Sequence, residues 1–188
     1  DVLGQETAVS ILRRSLARSR LHHALLFHGP PGVGKERAAL ALACAFACPQ
    51  STFGPSRAGT VTGSEVPSTS ATPADAVRDA CGTCAACHRV MTLSSDAPHV
   101  PLHPDVLMVG RGLYPKEVLG RTTEEKTEIS VDQIRRVVLE RVVVGPHEAR
   151  ECVIIIRHCD EMSTGAANAL LKTLEEPPAR TRFVLLTS

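Results

Sequence analysis

A glycine-rich stretch that ends in lysine is the first part of this sequence that could do chemistry. In "HGPPGVGKERAAL" (28–40), Gly29, Gly34 and Lys35 match the phosphate-binding pattern G-x-x-x-x-G-K-[ST]. Glycines let backbone N–H groups approach phosphate oxygens, and the lysine supplies a positive charge for the outer phosphates. The candidate nucleotide-binding residues are therefore Gly29, Pro30, Pro31, Gly32, Val33, Gly34, Lys35 and Glu36.

Glu36 departs from this pattern, because its position should hold a hydroxyl that ligates Mg²⁺. Its carboxylate also brings a negative charge close to the phosphates. Two like unit charges about 4 Å apart repel by roughly 4 kcal/mol at an effective dielectric near 20. Alternatively, the carboxylate can ligate Mg²⁺ itself, or turn to solvent in a helix turn that favours negative charge. The loop shape is predicted to be kept, whereas ATP with Mg²⁺ is disfavoured as its cofactor.

A second candidate site is a cysteine knuckle. Cys81, Cys84 and Cys87 follow the spacing C-x₂-C-x₂-C in a chain with seven cysteines and no secretory signature. An odd count in that context favours metal binding over a disulfide framework, and zinc takes four tetrahedral ligands. Free thiols or a disulfide are the alternative. The candidates for the fourth zinc ligand are Cys48, Cys44, His88, His99 and His103, of which Cys44 is better explained as a small buried residue.

Strands separated by helices must position these residues. The alternation predicts an α/β fold with a parallel sheet and right-handed crossovers. The glycine-rich loop then lies at the carboxyl end of the first strand, where open α/β sheets bind ligands. Ser130 and Gln133 have the spacing of a capping box at the start of one helix. The predicted helices are 5–19, 36–48, a short one after the knuckle, 130–142 and 163–178, and the predicted strands are 24–27, 103–110, 152–158 and 182–188.

The chain is predicted to be one domain, 1–188, with one inserted segment that leaves the compact core. Residues 49–79 are rich in Ser, Thr, Pro and Gly and are predicted to form a flexible insertion. Residues 80–95 are predicted to form a zinc-knuckle module at its far end. Residues 111–128 are a polar connection between the second strand and the next helix.

The overall composition excludes several classes of protein. Lys and Arg total 21 against 20 Asp and Glu, a net charge of +1. This charge lacks the excess of Lys and Arg that is typical of nucleic-acid-binding proteins. With one Tyr and no Trp, the chain also has few aromatic side chains on which bases could stack. There is no apolar run of about 18 residues and no signal peptide, so we expect a cytoplasmic protein without membrane contact.

The string "NALLKTLEEPP" (168–178), after an apolar strand, resembles the bacterial clamp-loader ATPases of the AAA+ class. These are the tau/gamma and delta-prime subunits of DNA polymerase III. The resemblance covers nearly the whole chain except 49–79 and 110–127. It implies an AAA+ P-loop NTPase-type parallel sheet with flanking helices and a small inserted four-cysteine zinc module, with Cys48 at the family's first zinc cysteine. Further matching strings are "VLGQETAVSILRRSL", "LHHALLFHGPPGVGK", "CGTCAACHRV", "HPDV", "VDQIRRV" and "RFVLLTS".

The resemblance also implies a second loss at the metal position. Family members that hydrolyse ATP end the third strand with Asp-Glu, and counting back from Asn168 places Arg157 and His158 in those positions. The pair at 160–161, Asp-Glu, comes three residues later and is expected in a turn beyond the strand. A strand shifted by three residues, which would make this pair functional, is the alternative. Thr187 falls at the family's sensor-1 position, but that role needs the acidic partner.

Two residues that would bind the same metal ion, the hydroxyl at position 36 and the aspartate at position 157, are therefore absent. In this respect the chain resembles delta-prime, whose nucleotide site is degenerate, and not the motor subunit tau/gamma. The resemblance then implies a non-motor subunit that assembles with tau/gamma and delta and helps to load the sliding clamp on primed DNA. No catalytic residue is assigned to this domain, which is not expected to be an active ATPase. Two alternatives are an active tau/gamma-type ATPase and a zinc-stabilised scaffold domain without a nucleotide role.

Overall fold

The computed structural model describes residues 4–52, 78–120 and 127–188. Most of the predicted flexible insertion at 49–79, and part of the polar connection at 111–128, lie outside these ranges. The predicted zinc-knuckle module at 80–95 lies within them. None of the helices in the described ranges has the length and apolarity to cross a bilayer.

Within the described ranges, four parallel strands form the sheet, in the order β1-β4-β3-β2. This confirms the predicted parallel α/β class. All five residues of β3 are buried, as expected for a β-branched run covered on both faces of a parallel sheet. The strands are β1 Ala24–His28, β2 Val106–Val109, β3 Cys152–Ile156 and β4 Thr181–Thr187.

The helices match the predicted positions, with one addition in the polar connection. This short helix, α4, spans Lys116–Leu119. The helix α5 covers 131–144 in three segments, Val131–Gln133, Ile134–Leu139 and Glu140–Val144, of which the middle one is π-helical. The other helices are α1 Glu6–Ala17, α2 Lys35–Ala47, α3 Ala85–Met91 and α6 Thr164–Glu175.

The predicted capping box of α5 is only half formed. Ser130 Oγ accepts a hydrogen bond from the backbone N–H of Gln133, at 3.4 Å, as an N-cap should. The side chain of Gln133 does not return to the cap, because it is fully buried and its Nε2 donates to Gly110 O at 3.1 Å. Tertiary packing thus prevents the Gln133 side chain from capping its own helix.

Helices cover both faces of the sheet, so that the fold has three layers. Alternate residues of the strands point to opposite faces, and each face has its own apolar cluster. One cluster packs α2 and α3 on the sheet and includes Leu42, Phe46, Val90, Val153, Ile155 and Val184. The other packs α5 and α6 on it and includes Ile134, Val138, Leu170, Ile154, Ile156 and Phe183.

A buried carboxylate binds the backbone of residues 147–149, the turn that leads into β3. Asp105, just before β2, accepts hydrogen bonds from the backbone N–H groups of His147, Glu148 and Ala149 at 2.7–2.8 Å. Arg141 Nη2 donates to the same carboxylate at 2.7 Å. Burial raises the pKa of Asp105, but these hydrogen bonds and the charge of Arg141 outweigh it and lower the pKa below its usual 3.8. We call this arrangement the Asp105 latch.

Candidate functional site

The glycine-rich loop lies between β1 and α2, as the sequence predicts. Gly32 and Gly34 have φ of 80° and 95°, a left-handed conformation that residues with a Cβ rarely adopt. Gly34 is also the N-cap of α2, so that the positive end of this helix faces the loop. The ammonium of Lys35 folds back over the loop and donates to the carbonyls of Gly29 and Pro30. The loop therefore has the curled form of a phosphate-binding turn.

An open cavity of about 520 Å³ lies beside this loop. Lys35 and Arg37 line it from α2, and Arg157 and His158 line it from the turn after β3. His158 has φ of 49°, which is unusual for a residue with a side chain and turns the chain sharply at the end of the strand. The cavity is where a nucleotide would be expected in a protein with this topology.

The two residues predicted to replace the metal ligands are brought together as an ion pair. Arg157 Nε lies 3.1 Å from Glu36 Oε2, and the two side chains are 34% and 37% exposed. Arg157 is the first residue after β3, and its backbone N–H donates to Val109 O at 2.8 Å. The two side chains predicted to replace the metal ligands are thus in direct contact with each other, a carboxylate with a guanidinium.

Asp160 and Glu161 lie in a 3-10 turn, Cys159–Glu161, beyond the end of β3, as expected. The turn nevertheless returns Asp160 to the edge of the site, where its carboxylate accepts a hydrogen bond from Thr187 Oγ1 at 2.9 Å. This hydrogen bond lowers the pKa of Asp160, and the positive charge of Lys35 acts in the same direction. Glu161 instead pairs with Arg111 at 3.3 Å. Sequence reasoning left Thr187 without an acidic partner and placed Asp160 in a turn beyond the strand; it did not predict that this turn brings Asp160 to Thr187.

The four cysteines predicted as metal ligands converge. The sulfur atoms of Cys48, Cys81, Cys84 and Cys87 all lie within 4.8 Å of one another, and the four residues are free thiols. Cys48 directly follows α2, and Cys84 is the N-cap of α3. The group does not include Cys44, whose sulfur lies 4.0 Å from Cys87 O. The histidine candidates His88, His99 and His103 also lie outside the group.

Backbone N–H groups favour the thiolate form of two of the four cysteines, whereas burial raises the pKa of Cys87. The pKa of Cys81 is lowered to about 6, because the N–H groups of Thr83 and Cys84 hydrogen-bond to its sulfur. Burial raises the pKa of Cys48, but N–H groups from Cys81 and Gln50 outweigh it and lower the pKa. Burial raises the pKa of Cys44 to about 11, so that this fifth thiol stays protonated.

Four convergent sulfur atoms, with N–H donors around them, form a ligand set for a metal ion that prefers sulfur ligands and tetrahedral coordination. Zinc prefers such a ligand set, and a site closed by four thiolates has no open position for a substrate or water. The chemistry of this donor set therefore fits a structural metal site and not a catalytic one.

Known proteins are similar to this chain over its whole length. A family model described as "DNA polymerase III, delta subunit" matches residues 4–60 and 53–188. DNA polymerase III subunit tau of Bacillus subtilis is 30% identical over 188 residues, which are 100% of this chain and 25% of that protein. Subunit tau of Escherichia coli is 32% identical over 190 residues, 100% of this chain and 22% of that protein.

A delta' subunit also matches, more weakly than the tau subunits do. DNA polymerase III subunit delta' of Bacillus subtilis is 30% identical over 183 residues, which are 97% of this chain and 41% of that protein. The chain thus spans about a quarter of the length of the tau relatives and two fifths of the delta' relative. Identity alone does not separate the two types.

Proposed function

The chain belongs to the DNA polymerase III delta-subunit family of clamp-loader AAA+ proteins, and we propose that it is a non-motor clamp-loader subunit of delta-prime type. The observation that carries the proposal is the ion pair between Glu36 and Arg157. ATP hydrolysis needs Mg²⁺ to neutralise the phosphoryl group that is transferred. A guanidinium bound to the only carboxylate of the loop leaves that ion without its two expected protein ligands.

The proposed partners follow from the family. The subunit assembles with tau/gamma and delta, and it acts on the sliding clamp and primed DNA through the complex. A net charge of +1 and the lack of Trp support a subunit that makes few DNA contacts by itself. Its contribution is a stable shape, held by the three-layer core, and not a cycle of nucleotide turnover.

We propose that zinc is bound by Cys48, Cys81, Cys84 and Cys87, which fit it in number and distance. The ion supplies a structural cross-link when bound. These residues join the end of α2 to the start of α3, so that zinc ties the 80–95 module to the helix that follows the glycine-rich loop. Substitution of Cys84 tests this assignment.

A second candidate function is an active tau/gamma-type ATPase, and the position of Asp160 favours it. The carboxylate lies by Thr187 and within the electrostatic reach of Lys35. In such an enzyme Asp160 would be the carboxylate of the metal site, in place of the residue at position 157. Among the described residues that line the cavity, the acidic one is Glu36, which is already paired with Arg157.

Substitutions of Lys35 and Asp160 in the assembled clamp loader distinguish the two functions. For a non-motor subunit, Lys35→Ala and Asp160→Asn in this chain change the DNA-dependent ATPase rate of the complex by less than about twofold. The reason is that neither residue then touches a phosphoryl group in its transition state. The rate is measured with tau/gamma, delta, clamp and primed DNA.

The matched control replaces the phosphate-loop lysine of the tau/gamma subunit, which should lower the same rate to background. A comparable loss from Lys35→Ala and Asp160→Asn would instead identify this chain as a motor. Failure of the chain to form a complex with tau/gamma and delta on size-exclusion chromatography would remove the proposed function altogether.

A further inference from the structure

The side chain of Arg157 is held in a defined direction by the end of β2. Its carbon chain lies against Gly110, where an added Cβ would come within 3.3 Å of Arg157 Cβ. The carbonyl of Gly110 accepts a hydrogen bond from the buried Gln133 Nε2. With its own backbone N–H bonded to Val109 O, Arg157 is fixed at its base and along its chain. Its guanidinium is therefore a positioned group in the cavity and not a freely moving surface charge.

The cavity that Arg157 enters has an excess of positive charge. Three cationic side chains, Lys35, Arg37 and Arg157, line it against one carboxylate, Glu36. The N-terminal end of α2 adds its partial positive charge on the loop side. Such a surface attracts a polyphosphate, whose oxygens accept hydrogen bonds from backbone N–H groups and from guanidinium.

The same charges disfavour a divalent cation. The carboxylate of Glu36 is already bonded to Arg157 at 3.1 Å. A guanidinium this close repels Mg²⁺, and it stays charged at every relevant pH. Arginine presents its donors in a planar fork that matches phosphate oxygens directly. A guanidinium can therefore do part of the electrostatic work of a metal ion beside a phosphate.

We propose that this cavity is a metal-independent polyphosphate site, in which Arg157 neutralises the phosphate charge that Mg²⁺ would otherwise neutralise. Glu36 holds the guanidinium before a phosphate binds and releases it to the bound phosphate. The inference rests on the proposed function only in taking positions 36 and 157 as the former metal positions. The ligand class is a nucleoside polyphosphate or inorganic pyrophosphate, taken up without its metal ion.

The test is isothermal titration of the full purified protein with ATP and, separately, with inorganic pyrophosphate. Each titration is made in EDTA and in excess Mg²⁺. We expect binding in EDTA to be at least as tight as in Mg²⁺, because Mg²⁺ masks the phosphate charges that Arg157 contacts. Tighter binding of ATP than of pyrophosphate would show that the base or sugar is also recognised, and equal affinity would limit the site to the phosphates.

Two variants should act in opposite directions. Arg157→Ala is expected to weaken binding in EDTA by about tenfold or more, the usual effect of losing a charge-assisted hydrogen bond. Glu36→Ala is expected to tighten it, because it frees the guanidinium and removes a negative charge. Arg18→Ala is the matched control: Arg18 is exposed, follows α1 and precedes β1, away from the carboxyl end of β1 where the loop lies. It should not change the affinity.

Three results would overturn the inference. Binding only in Mg²⁺ would show a metal-dependent site, and if ATP turnover accompanied it, the proposed non-motor function would fail as well. No binding in either buffer would refute the site and leave the proposed function to its own test in the assembled complex. Equal weakening by Arg157→Ala and Glu36→Ala, with unchanged circular dichroism, would mean that the ion pair only stabilises the fold.

Discussion

Replacing Cys84 with alanine is expected to abolish zinc binding and to unfold the segment around α3. The three remaining cysteines would lie close together without the ion that joins them, and α3 would lose its N-cap, since Cys84 Sγ accepts from Cys87 N–H. Structural zinc contributes an apparent ~10–16 kcal/mol in isolated zinc-finger peptides. Here α2 and the sheet keep their own core, so we expect a smaller loss, roughly 4 kcal/mol or more. For a domain of this size that lowers the Tm by roughly 8–16 °C.

Cys44→Ala is the matched control for this prediction. Cys44 lies one helical turn before Cys48, is buried, and has a pKa raised to about 11, so that it stays a neutral thiol outside the ligand group. Zinc content is measured by mass spectrometry of the purified protein, and stability by circular dichroism on heating. The wild type and Cys44→Ala should each hold one zinc ion per chain. Wild-type protein that folds without zinc, or equal zinc loss in both variants, would refute the site.

Replacing Asp105 with asparagine is expected to lower the free energy of unfolding by about 3–5 kcal/mol, the usual effect of breaking a buried ion pair. The amide has the size of the carboxylate but not its charge, and it turns an NH₂ group towards donors. One carboxylate oxygen accepts from Arg141 and the backbone N–H of His147, and the other accepts from the backbone N–H groups of Glu148 and Ala149. Asparagine keeps one acceptor oxygen, so one of these two pairs of donors would face the NH₂ group. The whole turn before β3 depends on this carboxylate.

The matched control is Asp79→Asn, the same change in an exposed ion pair. Asp79 pairs with Arg13, and the two side chains are 59% and 58% exposed, so this substitution should cost less than about 1 kcal/mol. Both variants are compared with the wild type by urea unfolding at neutral pH. Equal destabilisation would show that the Asp105 latch contributes no more than a surface pair.

The pH dependence gives an independent check on the Asp105 latch. Because the pKa of Asp105 in the folded protein lies below its usual 3.8, its contribution is fully present above that value. The contribution is lost as the pH falls below 3.8 through the lower pKa of the folded state. The difference in stability between wild type and Asp105→Asn should therefore shrink in acid. A difference that is constant from neutral pH into this range would argue against a buried, ionised carboxylate.

The Asp105 latch and the cysteine site are physically connected. Glu148, whose backbone N–H the latch holds, forms a two-pronged ion pair with Arg89 of α3, at 2.6 and 2.8 Å. The pair docks the zinc-knuckle module on the turn that leads into β3. Loss of zinc and loss of the latch are therefore expected to loosen the same side of the domain.

The strands and helices could be predicted well from the sequence because each depends on local periodicity. The run of β-branched residues predicted β3, and Pro177 and Pro178 predicted the C-terminal end of α6. The π-helical segment Ile134–Leu139 and the use of Gln133 as a donor to Gly110 were not predicted. The hydrogen bond joins α5 to the residue that follows β2, a contact between distant segments that no local pattern encodes.

For the candidate site, short-range patterns were enough to identify the residue types in each motif. The loop spacing identified Gly29, Gly34 and Lys35, and the knuckle spacing identified three of the four cysteines. Residue identity at 36 showed that the loop has no hydroxyl for a metal. These conclusions need only local geometry, because a turn or a knuckle is built from residues adjacent in the chain.

Which of these residues meet became clear only from the folded domain. The order β1-β4-β3-β2 and the sharp turn at His158 bring Arg157 to Glu36 and Asp160 to Thr187. The packing of α2 on α3 brings Cys48 to the knuckle and leaves Cys44 outside it. The physical reason is that contacts between distant segments depend on strand order and helix packing, which the whole core fixes at once.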